Sequence, residues 1–507
     1  MMEPMKIELV KPSELPKAAK RLSAEGTHPL TAMFGRDERR DENVKGLSVY
    51  CVFENTGTHE MEALKAVFKE GELYRFPTLT YVLPAAAWYE REIQDMFGIV
   101  PEGHPDPRPL VLHESFPEGF HPLPKDVAKN TEARGERRYD IHVAHGEGLF
   151  EVPVGPIHAG IIEPGHFRFS QAGEAMLQLD AKLFYTHRGL EKIMEGKTPF
   201  EALPIVERIC GACSIANTWS FCQAVEQIAK TKIPRRAEII RTLLSELERV
   251  TNHVGDLGNI PGGVGFNPAI SLGGRTKEML MRLQEAVAGN RFLRGIIVPG
   301  GVAMDITPEL RAKIREVLAV AKKNIEDLSE MFADQSNFQN RVRTTGIVRK
   351  STAADLAMVG VGARASGFLH DSRRDFSYGV YPELPFEPAL EKDGDVAARI
   401  KIRIKEFHVS LRMIEKLLTL LDEEQEMTLS VELPSVKGEG FGISESARGS
   451  NFHYVALDGE GRIDRIFVRS ASYANWPALP IAVQGDIIPD FPLINKSFEL
   501  CYACIDR

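Results

Sequence analysis

The sequence predicts an α+β protein: a small N-terminal α/β domain followed by a mainly helical domain with small β hairpins. Three observations carry this. Runs of β-type residues, "LSVYCVFEN" and "TLTYVLP", lie near the start of the chain. Apolar residues at helical spacing dominate the second part. Near the end the pattern turns to alternation, in "FHYVALDGEGRIDRIFVR". At 507 residues, 43% hydrophobic and 26% charged, the chain has the material for two or more domains with a sizeable core.

Residues 1–125 form the first expected domain, to which "HEMEALKAVFKEG" adds a segment of helical composition. Residues 126–148 are charged and poor in apolar side chains and read as a linker. Residues 149–507 make the second domain. Ile240, Leu243, Leu244, Leu247, Val250, Val254 and Leu257 recur at helical spacing between Pro234, which suits a helix start, and Gly258, which suits a stop. Another helix begins at "TPEL", with Thr307 as N-cap and Pro308 in the first helical position. A third carries Ile400, Ile404, Phe407, Leu411, Ile414 and Leu418 on one face, and long helices of this kind stack as a bundle. Asp458-Gly459 marks a hairpin.

The formal net charge of −9 gives no basis for a nucleic-acid partner. No apolar run approaches the roughly 18 residues that span a bilayer. "MMEPMKIELV" lacks both the basic start and the apolar run of a secretory signal. The expectation is a soluble cytosolic chain that docks on a membrane complex.

Six cysteines lie at positions 51, 210, 213, 222, 501 and 504. Cys51 and Cys222 read as small buried apolar residues. The other four form two Cys-x-x-Cys pairs, "RICGAC" and "CYACIDR", far apart in the chain. In a reducing compartment this spacing favours metal or redox chemistry over disulfides. Cys210 and Cys213 precede a helical segment whose dipole favours thiolates at its start. Four converging thiolates suit zinc, an iron–sulfur cluster or a nickel–iron centre, and spacing does not choose among them.

The surrounding residues go further. "VGPIHAGIIEPGHFRF", "YTHRGLEKI", "ERICGACSIANTWSF" and "CYACIDR" together resemble the large subunit of group 4 nickel–iron hydrogenases, the formate-hydrogenlyase and energy-converting type. The same order of segments resembles the quinone-site subunit of respiratory complex I, and "WYEREIQDMFGIVPEGHPDPRPLVLHESFPEGFHPLPKD" resembles the small hydrophilic complex I subunit beside it. Quinone-site subunits lack the paired cysteines. The resemblance implies that Cys210, Cys213, Cys501 and Cys504 ligate nickel in a NiFe(CN)2CO centre, with Cys213 and Cys504 bridging to iron. Hydrogen is split heterolytically at such a centre, and the proton needs an acceptor. Glu163 in "IIEPGHF" matches the glutamate with that role, the alternative being a nearby thiolate that acts first; by position alone Glu163 is a turn residue before Pro164-Gly165. Arg448 in "ESARGSNF" matches a guanidinium placed over the metal site, and by position alone it is a turn arginine. Glu191 matches a carboxylate associated with Mg2+ or a similar ion; by spacing alone it is a helix-surface residue. His158, His166 and His187 lie in the matched segments without an assigned role.

Three positions depart from the family pattern. Asn217 stands where a histidine is usual, Glu499-Leu500 where Asp-Pro is usual, and Ala447 where proline is usual. Asn217 is able to donate a hydrogen bond to a thiolate and Glu499 keeps the acidic charge. None of the three changes removes a nickel ligand, but they bear on proton transfer and redox tuning. The sequence ends at Arg507 without the extension that family precursors carry, leaving open a mature chain, one that bypasses cleavage, or one that receives no nickel.

The resemblance further implies catalysis of H2 ⇌ 2H+ + 2e− with no iron–sulfur cluster in this chain. Electrons would pass through a 4Fe–4S small subunit and a ferredoxin-like iron–sulfur subunit. Antiporter-like membrane subunits would hold the protein peripherally on the cytoplasmic face of the inner membrane. The alternative is a coupling or quinone-binding subunit of a complex I-like assembly, its cysteines empty or holding structural metal.

Overall fold

Ten-residue strands dominate the start of the chain. The structure is a computed structural model that describes residues 3–25, 28–137, 139–160 and 162–507; Met1, Met2, Gly26, Thr27, Arg138 in the charged segment and Ile161 in the "VGPIHAGIIEPGHFRF" motif lie outside the described residues. The first sheet holds β1 (Lys6–Val10), β2 (His28–Asp37), β3 (Gly46–Asn55) and β4 (Glu60–Lys69) in the order β1-β4-β3-β2. β1 runs parallel to β4; the other pairs are antiparallel. A helix, α1 (Leu15–Glu25), connects the first two strands.

Two expectations fail here. "HEMEALKAVFKEG" is not helical but forms β4, paired on both edges, because ladder partners on β1 and β3 override the helix preference of Glu, Met, Ala and Lys. "TLTYVLP" is not a strand but a turn between Pro77 and Pro84. The carboxylate of Glu90 accepts bonds from Thr78 Oγ1 (2.5 Å), Leu79 N (2.5 Å) and Thr80 Oγ1 (2.9 Å), which fixes that turn. Helix α2 (Ala86–Phe97) follows, ended by Gly98 in the left-handed conformation.

Residues 126–148 contain no helix or strand among those described. They nevertheless lie against the protein: the Tyr139 ring sits 4.4 Å from Lys182 Nζ, and Arg137 donates to the Phe116 and Pro117 carbonyls. A second antiparallel sheet follows, β5 (Leu149–Val154), β6 (His166–Ala172) and β7 (Ala175–Lys182).

Beyond it the chain is mainly helical, in keeping with the α+β expectation. The helices that frame the site are α3 (Ser214–Ala229), α4 (Arg235–Asn259), α5 (Asn267–Ala288), α6 (Pro308–Asp334) and α7 (Val396–Glu423). Pro234 caps α4, and Thr307 Oγ1 accepts from Leu310 N at 3.3 Å to cap α6. α4 lies at the centre, with α5 and α7 against it and α6 packed on α5 and α7.

The Asp458-Gly459 hairpin is present and belongs to a third sheet: β8 (Gly438–Ser446), β9 (Gly449–Leu457) and β10 (Ile463–Arg469), antiparallel in that order. β9 is buried along its whole length because α3 covers one face and the N-terminal sheet approaches the other. Phe34 and Tyr50 from the first sheet stack with Tyr454 and Phe467 from the third at 4.6–5.5 Å. Arg36 reaches across to Glu439 and the Tyr454 hydroxyl, both at 2.8 Å. The N-terminal domain is thereby built into the wall behind the site. Two short helices, α8 (Phe491–Phe498) and α9 (Tyr502–Asp506), finish the chain.

Candidate metal centre

Cys213 is the N-cap of α3 and Cys501 the N-cap of α9, so two helix starts point at the same place. Amides there serve the sulfurs directly: Ala212 N donates to Cys210 Sγ at 3.3 Å, and Cys504 N to Cys501 Sγ at 3.4 Å. The Cys210, Cys213 and Cys504 sulfurs all lie within 4.8 Å of one another. Cys501 Sγ joins them 3.4 Å from Cys210 Sγ. Sulfurs sharing one tetrahedral ion at roughly 2.3 Å sit roughly 3.8 Å apart, so this is the spacing of a common ligand shell. Cys210, Cys213 and Cys504 are buried and Cys501 is partly exposed. No disulfide joins them.

The thiols hold one another in unequal states. Hydrogen bonds with Cys210 and Cys504 pull Cys501 well below the usual thiol range. Bonds to Cys210, Cys213 and Cys501 push Cys504 well above it, and Cys210 pushes Cys213 up to about 12. Four thiolates at this spacing, three of them buried, repel one another unless a cation lies between them, and soft sulfur donors select a thiophilic metal. The donor set fits a nickel–iron centre.

Arg448 occupies the turn between β8 and β9, and a second observation fixes that turn. Gly360, at φ +65°, lies so close that a Cβ there would sit 2.1 Å from the Arg448 carbonyl oxygen. The guanidinium donates through Nε to the Glu499 carbonyl and through Nη1 to Asn252 Oδ1 at 3.4 Å, and Nη2 lies 3.6 Å from Asp256 Oδ1. Burial works against its charge, yet Asp256, Cys213 and Cys210 hold it protonated. Glu499 accepts from Asn259 at 2.6 Å, and burial beside Asp256 raises its carboxyl. Asn252 and Asp256, one turn apart on α4, were not singled out from sequence; their shared helix face beside Arg448 exists only in the folded chain. Glu248, one turn earlier, accepts the amides of Ile215 and Ala216, two and three residues after Cys213, at 2.7 and 3.2 Å.

The remaining expected residues fall in different surroundings. Asn217 is fully buried and donates to the Cys213 carbonyl at 2.8 Å, so its amide braces the cysteine's backbone; its Oδ1 has no partner among the described residues. Glu163 is half-buried, and its charge is felt by Tyr502 and Asp506 on α9. Asp506 is raised to about 6, chiefly by burial, while its carboxylate accepts from Thr186. His158 Nε2 lies 3.0 Å from the Tyr502 hydroxyl, and His187 Nδ1 meets the Asp506 carbonyl at 2.6 Å. His166 Nδ1 faces the Gly155 carbonyl at 3.3 Å.

Glu191 does not fit a Mg2+ ligand. One carboxylate oxygen takes Arg465 Nη1 at 2.6 Å; the other takes Arg507 Nη1 at 3.1 Å and the Val468 amide at 3.2 Å. Two guanidinium groups already neutralise the site, and a further cation among them would be repelled.

Three family models match the chain. The respiratory-chain NADH dehydrogenase 30 Kd subunit covers residues 9–133, and the 49 Kd subunit of the same enzyme covers 264–434 and 426–507. The nickel-dependent hydrogenase model covers 188–255, which includes the first cysteine pair. The chain is 34% identical over 487 residues to hydrogenase-4 component G of Escherichia coli K12, covering 94% of this chain and 84% of that one. It is 32% identical over 509 residues to formate hydrogenlyase subunit 5 of the same organism, covering 98% and 88%. A subunit of the solved membrane-bound sulfane sulfur reductase, an archaeal respiratory membrane complex, superposes with a TM-score of 0.67 at 27% identity, over 71% of this chain and 99% of that one.

Proposed function

The chain belongs to the fused large subunits of group 4 nickel–iron hydrogenases, in which a complex I 30 Kd-type domain is joined to a 49 Kd-type domain, and we propose on that basis that it catalyses H2 ⇌ 2H+ + 2e− at a nickel–iron centre held by Cys210, Cys213, Cys501 and Cys504. It is an oxidoreductase subunit. The observation that carries the proposal is the meeting of the two Cys-x-x-Cys pairs in one buried cluster.

When bound, the centre supplies the redox chemistry and the heterolytic splitting of hydrogen. The chain's own residues supply the rest. Cys501, whose sulfur accepts the Cys504 amide at the start of α9, is the thiol held toward the thiolate form. Arg448, fixed by Asp256 and the Glu499 carbonyl, presents a permanent cation where negative charge accumulates. Glu163, half-buried and close enough for its charge to act on Tyr502 and Asp506 of α9, is the proposed proton acceptor. Asn217 holds the Cys213 backbone in place of a histidine.

Electrons come from a partner subunit. Cys51 and Cys222, the remaining cysteines, are both fully buried in the apolar core and build no relay. No helix among the described residues is long and apolar enough to cross a membrane. The likeness to formate hydrogenlyase subunit 5 and to a subunit of an archaeal respiratory membrane complex supports a peripheral place on a membrane complex, with a 4Fe–4S small subunit and antiporter-like membrane subunits as the proposed partners. The 49 Kd match favours one second reading, a coupling or quinone-binding subunit without the centre. Cys501→Ser separates the two. Loss of nickel and of hydrogenase activity in the assembled complex supports the first; a wild-type complex without nickel or hydrogenase activity, whose other redox activity survives the substitution, supports the second.

A further inference from the structure

Arg507 is 4% exposed, and its guanidinium lies between two carboxylates from different parts of the molecule. Nη2 meets Glu92 Oε2 at 2.6 Å, and Nη1 meets Glu191 Oε1 at 3.1 Å. Glu92 is on α2 of the N-terminal domain, whereas Glu191 opens the helix Leu190–Met194. The cation also stacks 5.0 Å from the Tyr473 ring centre and 5.5 Å from that of Phe467. Arg188 N bonds the Arg507 carbonyl at 2.9 Å, so the backbone is held as well as the side chain.

The charges balance: Glu92 and Glu191 face Arg507 and Arg465. A cavity of about 30 Å3 remains beside them, lined by Glu92, His187, Glu191 and Arg507 among others. That volume is about the share of one water in the liquid. Arg507 directly follows α9, whose first turn carries Cys504.

The geometry points to Arg507 as a built-in cation that takes the place of a dissociable divalent ion between Glu92 and Glu191. Through Glu92, the N-terminal domain thereby positions the helix that carries Cys504. Arg507 is a positioning residue, and this role does not depend on which metal the cysteines hold. It gives the fused domain a task inside the metal site's own scaffold.

The test follows bound magnesium, calcium and manganese by mass spectrometry on the assembled protein dialysed against EDTA, together with amide exchange over residues 499–507. The wild type is expected to hold substoichiometric amounts of those ions, with exchange unaffected by EDTA or by added Mg2+. Arg507→Ala is expected to raise exchange in the segment by about tenfold or more, since local opening then replaces a clamped state. Added Mg2+ slows that exchange again in Arg507→Ala but not when Glu92→Gln is added. Arg507→Lys, which keeps the charge, stays near the wild type. Three results would overturn the inference: one EDTA-removable equivalent of ion in the wild type, exchange in Arg507→Ala as slow as in the wild type, or no effect of Mg2+ on that variant.

Discussion

The sulfurs of Cys210 and Cys501 lie 3.4 Å apart although 291 residues separate them in sequence. Neither pair forms a site alone. α3 must be capped by Cys213 and α9 by Cys501, and the turn between β8 and β9 must carry Arg448 into place. The site is a product of tertiary folding, and the predictions test the parts that hold it.

Arg448→Lys keeps the positive charge but loses the fork that reaches Asn252, Asp256 and the Glu499 carbonyl together. Hydrogenase activity is expected to fall by about 10²–10³-fold, the usual loss when one preorganised donor is removed. Nickel content is expected to stay at the wild-type level, which metal analysis of the same preparation checks.

Gly360→Ala should act on the same arginine from behind. Its Cβ would meet the Arg448 carbonyl oxygen at 2.1 Å, and φ +65° already disfavours a side chain. A loss of about 1–3 kcal/mol in unfolding free energy is expected, with activity falling further than stability explains. Gly265→Ala, also at positive φ (+69°) but with no atom near its Cβ, is the control and should leave activity unchanged.

The sequence reveals much of this, but unevenly. Cys51 and Cys222 as core residues, the cap at Thr307 and the hairpin at Asp458-Gly459 are readable because each signal is local. β4 is misread because its residues prefer helix and only the neighbouring strands, which are distant information, reverse that preference. The charged residues of "WYEREIQDMFG" lie in the interior: Glu90, Arg91, Glu92 and Asp95 are buried. Asp95 alone accepts three successive amides, Leu110 to Leu112, at 2.8–3.2 Å. Composition cannot show that a charge is buried when its partners lie elsewhere in the chain. For the same reason Glu191 reads by spacing as a helix-surface residue, and only the fold shows it buried between Arg465 and Arg507.

A buried histidine on the face between the domains gives a pH dependence. His370 Nε2 meets Glu54 Oε2 on β3 at 2.6 Å. Burial opposes its charge, but Glu54, Glu445 and Asp375 outweigh that and raise it above the ordinary 6.5. A raised histidine contributes stability that is fully present below pH 6.5 and is lost as pH rises through the folded value. The thermal stability of the wild type should therefore fall over the interval just above pH 6.5, and His370→Gln should lack that step. An identical pH profile in the variant would remove this pair from the account.

The central claim, that the four cysteines hold a nickel–iron centre, is tested most directly by an infrared spectrum of the protein purified with its partner subunits. The window to record is that of metal-bound carbonyl and cyanide, where few protein groups absorb. The account predicts bands from one carbonyl and two cyanides in the wild type, lost in Cys501→Ser. A fully assembled, nickel-replete wild-type preparation without those bands would contradict it and leave the cysteine cluster as a site of another kind.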